Sequence, residues 1–146
     1  MKKLAYAASA LLLAVVGAAC SHASANQGPN APAPPSSVKV TEGEMFLHSS
    51  ATKVAAGTVT FTVTNDGAIH HEFVIVTGDP TDTKGDEPGR VSEAGHIGGE
   101  EGPEIGDIAP GATKTMVAKL SPGEYTAMCN LPGHYAGGMH FQFTVQ

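Results

Sequence analysis

One short segment of the sequence places thiol, imidazole and thioether groups at regular spacing. Residues 129–139 read CNLPGHYAGGM, so four residues separate Cys129 from His134 and four separate His134 from Met139. The Pro-Gly pair inside the segment predicts a turn that folds the chain back, which allows the three side chains to converge on one point. A thiolate and two imidazoles in a trigonal plane, with a distant thioether, form the coordination that type-1 copper adopts. The segment therefore supplies three of the four groups that such a site needs.

The second imidazole must come from elsewhere, and the adjacent residues His70 and His71 are the candidates. In an extended strand, neighbouring side chains point to opposite faces, so only one of the two can face inwards. His70 shares its face with Glu72, and burial of an unpaired carboxylate is costly. We therefore predict that His71 faces inwards as the metal ligand, while His70 and Glu72 face solvent.

The elements that must position these groups are short β-strands. Residues 58–64 alternate Thr with Val59, Phe61 and Val63, and residues 71–77 are rich in strand-forming side chains. Turn residues recur at short intervals, and no internal repeat is visible. About seven or eight strands are predicted, which is enough for an all-β Greek-key sandwich of two packed sheets. The other strands are predicted over residues 38–40, 44–48, 52–54, 113–120, 124–129 and 139–145.

The beginning of the chain is typical of a secretory signal. Two lysines precede an apolar run that is shorter than the about 20 residues of a permanent membrane span. Cleavage after Ala25 would make residues 1–25 the signal peptide. Cleavage before Cys20, at a sequence that resembles a lipobox, would limit the signal to residues 1–19 and anchor the protein by a lipid on Cys20. Under both alternatives we expect an extracytoplasmic protein, in the periplasm, at the cell surface or secreted.

Residues 26–37 predict a Pro-, Ala- and Ser-rich linker, and residues 38–146 predict the working domain. The domain has a single cysteine, Cys129, which excludes an internal disulfide framework. The whole chain has a net charge of -6, and because the preceding residues hold two lysines and no acid, the domain carries -8. This charge argues against nucleic-acid partners and favours partner proteins with basic surfaces. The acidic, Gly-rich residues 78–106 predict a solvated loop with a short helical turn near residues 91–94.

Four segments of the domain resemble the cupredoxins, the small blue copper proteins that include plastocyanin, azurin and sulfocyanin. They are residues 58–65, 71–74 (HEFV), 109–111 (APG) and 129–139. The resemblance implies one type-1 copper ion, with His71, Cys129 and His134 as equatorial ligands and Met139 as the axial ligand. It also implies a monomeric single-electron carrier, not an enzyme, that acts between a donor and an acceptor redox protein.

One position departs from part of this family. Plastocyanin-like members often place Asn directly after the first histidine ligand, where it helps to join the two ligand loops, whereas this sequence has Glu72. The departure concerns the hydrogen bonds around the sulfur and leaves the ligand set unchanged. A set of apolar residues surrounds His134, and we hypothesise that a redox partner docks on them; they are Leu131, Pro132, Tyr135 and Ala136.

Other functions for the same groups must be weighed. One Cys and two His could form an open zinc site, but Met is a poor zinc ligand and no carboxylate is evidently placed as a base. A cysteine–histidine protease would need Cys129 exposed in a cleft. The serious alternative is a copper-binding module that stores or delivers copper without carrying electrons. An intense blue colour that bleaches reversibly on reduction would distinguish the electron carrier from that module.

Overall fold

The computed structural model describes residues 32–80, 85, 87–99 and 102–146. The predicted signal peptide and Cys20 lie outside the described residues. Within the described residues the chain forms nine β-strands and no α-helix, which confirms the all-β class. The strands are β1 (Ser37–Gly43), β2 (Phe46–Ser49), β3 (Lys53–Val54), β4 (Gly57–Asn65), β5 (His71–Thr77), β6 (Ile105–Ile108), β7 (Thr113–Leu120), β8 (Gly123–Met128) and β9 (His140–Val145).

The strands form two sheets. The first has the order β2-β1-β4-β7 and the second has the order β3-β9-β8-β5-β6, so the chain crosses between sheets several times. Neighbouring strands are antiparallel except β1 with β4 and β3 with β9, which are parallel. Aromatic rings join the two sheets, because Phe61 of β4 lies 5.6 Å from Phe73 of β5 and 5.9 Å from Phe143 of β9, measured between ring centroids.

The alternation predicted for β4 is present in the structure. Val59, Phe61 and Val63 are completely buried, whereas the threonines between them are partly exposed. Burial of such side chains contributes about 1.5–3 kcal/mol each relative to exposure. The inner face of β4 therefore anchors the first sheet on the second, which carries the functional side chains.

The acidic segment differs from its prediction in two ways. It contains the short strand β6, which pairs with β5, and residues 91–94 form no helical turn. Instead, the chain near residue 96 pairs with the edge of β5: Val76 bridges His96, and the Ile97 N–H donates to the Ile75 carbonyl at 3.1 Å. On the outer face of β5, Val91 and Tyr135 pack with Val74 and Val76. This packing buries β5 on both faces, so its side chains do not alternate between core and solvent.

Residues Pro32–Gln146 form one compact unit. Its first strand begins at Ser37, the last residue of the predicted linker. In the part of the chain that is described, no helix has the length and apolar character needed to cross a membrane.

Candidate metal centre

The strand register brings the two ligand-bearing parts of the chain together. His71 is the first residue of β5, and Cys129 directly follows the last residue of β8. These strands are antiparallel neighbours in which Val74 pairs with Met128, so the start of β5 meets the end of β8. His71, from the middle of the sequence, therefore lies next to the loop that begins at Cys129.

The loop that follows Cys129 is closed by backbone hydrogen bonds. The Cys129 N–H donates to the Met139 carbonyl at 3.0 Å, and the Met139 N–H donates to the His134 carbonyl at 3.1 Å. Gly133 adopts a φ of 85°, a left-handed conformation that other residues rarely adopt. This predicted turn therefore fixes Cys129, His134 and Met139 relative to one another.

Three donor atoms lie close together at this site. His71 Nδ1 is 3.2 Å from His134 Nδ1, and Cys129 Sγ is 3.3 Å from His134 Nδ1 and 3.9 Å from His71 Nδ1. All three residues are buried. The point equidistant from three atoms so placed lies about 2.0 Å from each, close to the about 2.0–2.3 Å of metal bonds to imidazole and thiolate in zinc sites. One metal ion therefore fits between these donors.

The fourth predicted ligand, Met139, is completely buried. Its backbone bonds to both Cys129 and His134, so its position is tied to the two residues of the loop that carry donor atoms. A thioether is a soft, weak donor that suits copper better than zinc. The axial role of Met139 stays a prediction of the family resemblance.

The structure separates the two candidate histidines as predicted. His71 is 1% exposed and faces His134, whereas the His70 side chain is 62% exposed and pairs with Asp107 at 2.6 Å. The reason given for this assignment is wrong, however. Glu72 does not face solvent, since it is only 8% exposed. Arg90 and Asn130 contact Glu72, and Val91 and Tyr135 pack on the same face of β5, which strand alternation alone cannot reveal.

Glu72 is buried together with its partners. Its Oε1 accepts the Asn130 N–H at 3.0 Å and lies 3.3 Å from Arg90 Nη1. The Glu72 N–H in turn donates to Cys129 Sγ at 3.4 Å. Glu72, which follows His71, therefore bonds to both Cys129 and Asn130. It joins the two ligand loops at the position where plastocyanin-like sequences have Asn.

Asn130 extends this network to the acidic segment. Its Oδ1 accepts the Val91 N–H at 2.9 Å, and its Nδ2 donates to the Val91 carbonyl at 2.9 Å and to Glu93 Oε1 at 2.7 Å. In addition, the Gly133 N–H donates to the Gly89 carbonyl at 2.8 Å. The segment that was predicted as a solvated loop therefore braces the metal loop over residues 89–93.

Glu44, in the turn between β1 and β2, is a neighbour of the site that the sequence analysis missed. Its Oε1 accepts the N–H groups of Ala68 and Ile69 at 2.8 Å and 2.9 Å and lies 3.7 Å from His71 Nε2. Backbone N–H groups, its own and those of Ile69 and Ala68, hold the pKa of Glu44 below its usual value. No local motif marks this contact, because 27 positions of sequence separate the two residues.

The electrostatics of the site favour neutral donors before metal binding. Burial raises the pKa of the Cys129 thiol to about 11, although the N–H groups of Glu72 and Leu131 act in the opposite direction. Burial also lowers the pKa of His134, and burial together with the neighbouring His134 lowers the pKa of His71. Both imidazoles are therefore available as ligands at neutral pH, while the thiol must lose a proton when it binds a metal.

Fold and donor set together define a small blue copper protein of the cupredoxin class, as the sequence resemblance implied. Residues 38–146 match the sulfocyanin (SoxE) domain, and the chain therefore belongs to the sulfocyanin family. Family membership and the two-imidazole, one-thiol site identify the cofactor as one copper ion, which confirms the cofactor expected from the sequence. No curated protein matches this sequence.

Several solved structures share the fold. Reduced auracyanin from the photosynthetic bacterium Roseiflexus castenholzii is 25% identical, with a TM-score of 0.58 over 77% of this chain and 98% of that chain. Auracyanin A, a "blue" copper protein from Chloroflexus aurantiacus, is 19% identical, with a TM-score of 0.52 over 77% of this chain and 99% of that chain. Reduced rusticyanin is 17% identical, with a TM-score of 0.52 over 77% of this chain and 81% of that chain.

Proposed function

We propose that this protein is a single-electron carrier that cycles one type-1 copper ion between Cu(I) and Cu(II) for extracytoplasmic redox partners. The observation that carries the proposal is the triangle of His71 Nδ1, His134 Nδ1 and Cys129 Sγ, with sides of 3.2–3.9 Å. In this proposal His71, Cys129, His134 and Met139 would hold the copper ion. Bound copper supplies the one-electron redox couple.

The chain's own contribution is a rigid set of donors. Cys129 sits between a strand end and a loop closed by hydrogen bonds, and the Glu72 N–H points at its sulfur. A hydrogen bond to the sulfur stabilises the thiolate form, and an apolar, buried shell keeps water away. Donors fixed in this way do not rearrange when the charge of the site changes, which favours rapid electron transfer.

The same surroundings argue for a carrier and against an enzyme. Cys129 is completely buried, and burial raises the pKa of its thiol to about 11. A nucleophilic cysteine needs access to substrate and a lowered pKa. The protease alternative therefore lacks both requirements, whereas electron exchange needs no substrate contact with the sulfur.

The partner surface in this proposal is the end of the sandwich where His134 lies. Four residues there leave apolar surface open to solvent: Met45, Ile69, Pro132 and Ala136. Met45 packs against Gly137 of the metal loop, and Ile69 precedes His71 by two residues. Tyr135, which the sequence analysis included, is buried in a cluster with Val74 and Met128 and is not available for docking.

We also infer that the carrier is monomeric, works outside the cytoplasm and meets partners with basic surfaces. The signal-like sequence before residue 26 supports the location, the charge of -8 on the domain supports the basic partners, and the family resemblance implies the monomer. Attraction to basic partners weakens as salt screens it. Mass spectrometry of the mature N-terminus will distinguish cleavage after Ala25 from a lipid on Cys20.

The electron-carrier function is tested by the colour of the copper-loaded protein. Cu(II) should produce an intense blue thiolate charge-transfer band that bleaches on reduction and returns on oxidation. Cys129→Ser should abolish the band, while Met139→Leu should retain it and raise the reduction potential. A colourless Cu(II) complex of the wild type would contradict the proposal and favour copper storage or delivery.

A further inference from the structure

The two ring nitrogens of His71 lie in different surroundings. Nδ1 faces the other donors, 3.2 Å from His134 Nδ1 and 3.9 Å from Cys129 Sγ. Nε2 is buried and has no hydrogen-bond partner among the residues that the structure describes. The carboxylate of Glu44 lies beyond it, with Oε1 at 3.7 Å from Nε2.

If His71 binds a metal through Nδ1, its Nε2 must carry the ring proton. A neutral imidazole holds its proton on one nitrogen, so a ring that offers the Nδ1 lone pair to a metal keeps its proton on Nε2. A buried N–H without an acceptor is destabilising, because the group loses its hydrogen bond to water on folding. The Glu44 carboxylate is in place to accept this proton's hydrogen bond after a movement of less than 1 Å, about the difference between 3.7 Å and a normal hydrogen bond.

Two backbone hydrogen bonds keep the Glu44 carboxylate next to His71. Its Oε1 accepts the N–H groups of Ala68 and Ile69, which belong to the turn that leads directly into His71. Asn65 holds the same turn from the other side, since its Nδ2 donates to the Ile69 carbonyl and its Oδ1 accepts the Gly67 N–H, each at 2.8 Å. The carboxylate and the imidazole are thus anchored to one short stretch of backbone.

We propose that Glu44 is a positioning residue of the metal centre, whose carboxylate accepts the Nε2–H of His71, fixes the tautomer and orientation of the ring, and favours the oxidised metal. The inference rests on the proposed function, because it assumes that His71 binds copper through Nδ1. A carboxylate behind a histidine ligand makes that ligand more basic. A more basic ligand favours the ion with the higher charge, so Glu44 holds the reduction potential down.

The variant Glu44→Gln distinguishes the effect of the Glu44 charge on the metal centre from the effect of its hydrogen bonds to the Ala68 and Ile69 N–H groups. Glutamine keeps a side-chain oxygen that can accept the Ala68 and Ile69 N–H groups, but it removes the negative charge. In the copper-loaded variant we expect Cu(II) to bind about tenfold more weakly relative to Cu(I), the lower end of the effect of such partners. For one electron, a tenfold change corresponds to a rise of about 59 mV in reduction potential.

Glu124→Gln is the matched control for net charge. Glu124 is exposed near the start of β8, five residues before Cys129, which corresponds to about 16 Å along a strand. Voltammetry should therefore show a clear rise in potential for Glu44→Gln and a much smaller one for Glu124→Gln. Equal shifts in the two variants, or no shift in Glu44→Gln, would overturn the inference.

A second measurement reports the hydrogen bond directly. In the diamagnetic Cu(I) protein, NMR should show a slowly exchanging Nε2–H resonance of His71 that moves on Glu44→Gln and stays in place on Glu124→Gln. A His71 ring protonated on Nδ1 instead would overturn the inference. Failure of the proposed function is distinguishable, because the wild type would then lack the blue band as well.

Discussion

One carboxyl group in the core should contribute stability that this protein loses as the pH rises. Glu42 lies on β1 on the same face as Val38 and Val40, and it is completely buried. Neither of its carboxyl oxygens has a hydrogen-bond partner within the described residues. Burial, with a smaller contribution from the negative charge of Glu72, raises the pKa of Glu42 to about 8. The group is therefore protonated in the folded protein at neutral pH.

The sign and size of the effect follow from this pKa. The folded value of about 8 exceeds the ordinary value of 4.5, so the folded state binds the proton more tightly than the unfolded state does. The associated stability is fully present below pH 4.5 and is lost as the pH rises through about 8. At 1.36 kcal/mol per pKa unit, the loss between about pH 5 and about pH 8.5 is about 4 kcal/mol. Glu42→Gln removes the ionisable group and with it this loss.

Denaturant unfolding at several pH values provides the assay. The free energy of unfolding of Glu42→Gln minus that of the wild type should grow by about 4 kcal/mol from about pH 5 to about pH 8.5. Both proteins must be in the same metal state, so that proton release on copper binding cancels in the difference. The exposed residue Glu124 supplies the control, because Glu124→Gln should give a nearly constant difference. A constant difference for Glu42→Gln would refute a protonated Glu42.

Two further predictions concern the site. First, His70→Ala should keep the blue band, since His70 pairs with Asp107 at the surface, whereas the buried His71 is a ligand and His71→Ala should lose the band. A Cu(II) titration followed by visible absorption checks both variants. A colourless His70→Ala protein would contradict the assignment. Second, Cu(II) binding near pH 7 should release about one proton, because burial raises the pKa of the Cys129 thiol to about 11 and lowers the pKa of both histidines. A pH indicator in weak buffer measures the release, and Cys129→Ser should abolish it.

The parts of the structure that the sequence predicts are those governed by local pattern. The alternation of residues 58–64 gives β4 and its buried face, and the turn within residues 129–139 brings the backbone of Met139 to Cys129. These features need only the two-residue period of a strand or the geometry of one turn.

The parts that the sequence does not predict depend on contacts between distant segments. Glu72 can be buried because Asn130 and Arg90 pair with its carboxylate and because Val91 and Tyr135 pack on the same face of β5. The sequence does not predict strand β6, because its two buried isoleucines flank an exposed Gly-Asp pair and do not show the two-residue alternation of a strand. The approach of Glu44 to His71 likewise depends on the β1–β2 turn, which no local pattern links to β5.

The central claim is that His71, Cys129 and His134 bind the same copper ion. X-ray absorption spectroscopy of the copper-loaded protein tests it most directly, because the fine structure reports the type and number of donors around copper. We expect one short copper–sulfur bond and two copper–imidazole bonds, and Cys129→Ser should eliminate the sulfur signal. A copper shell built only from nitrogen and oxygen in the wild type would contradict the claim.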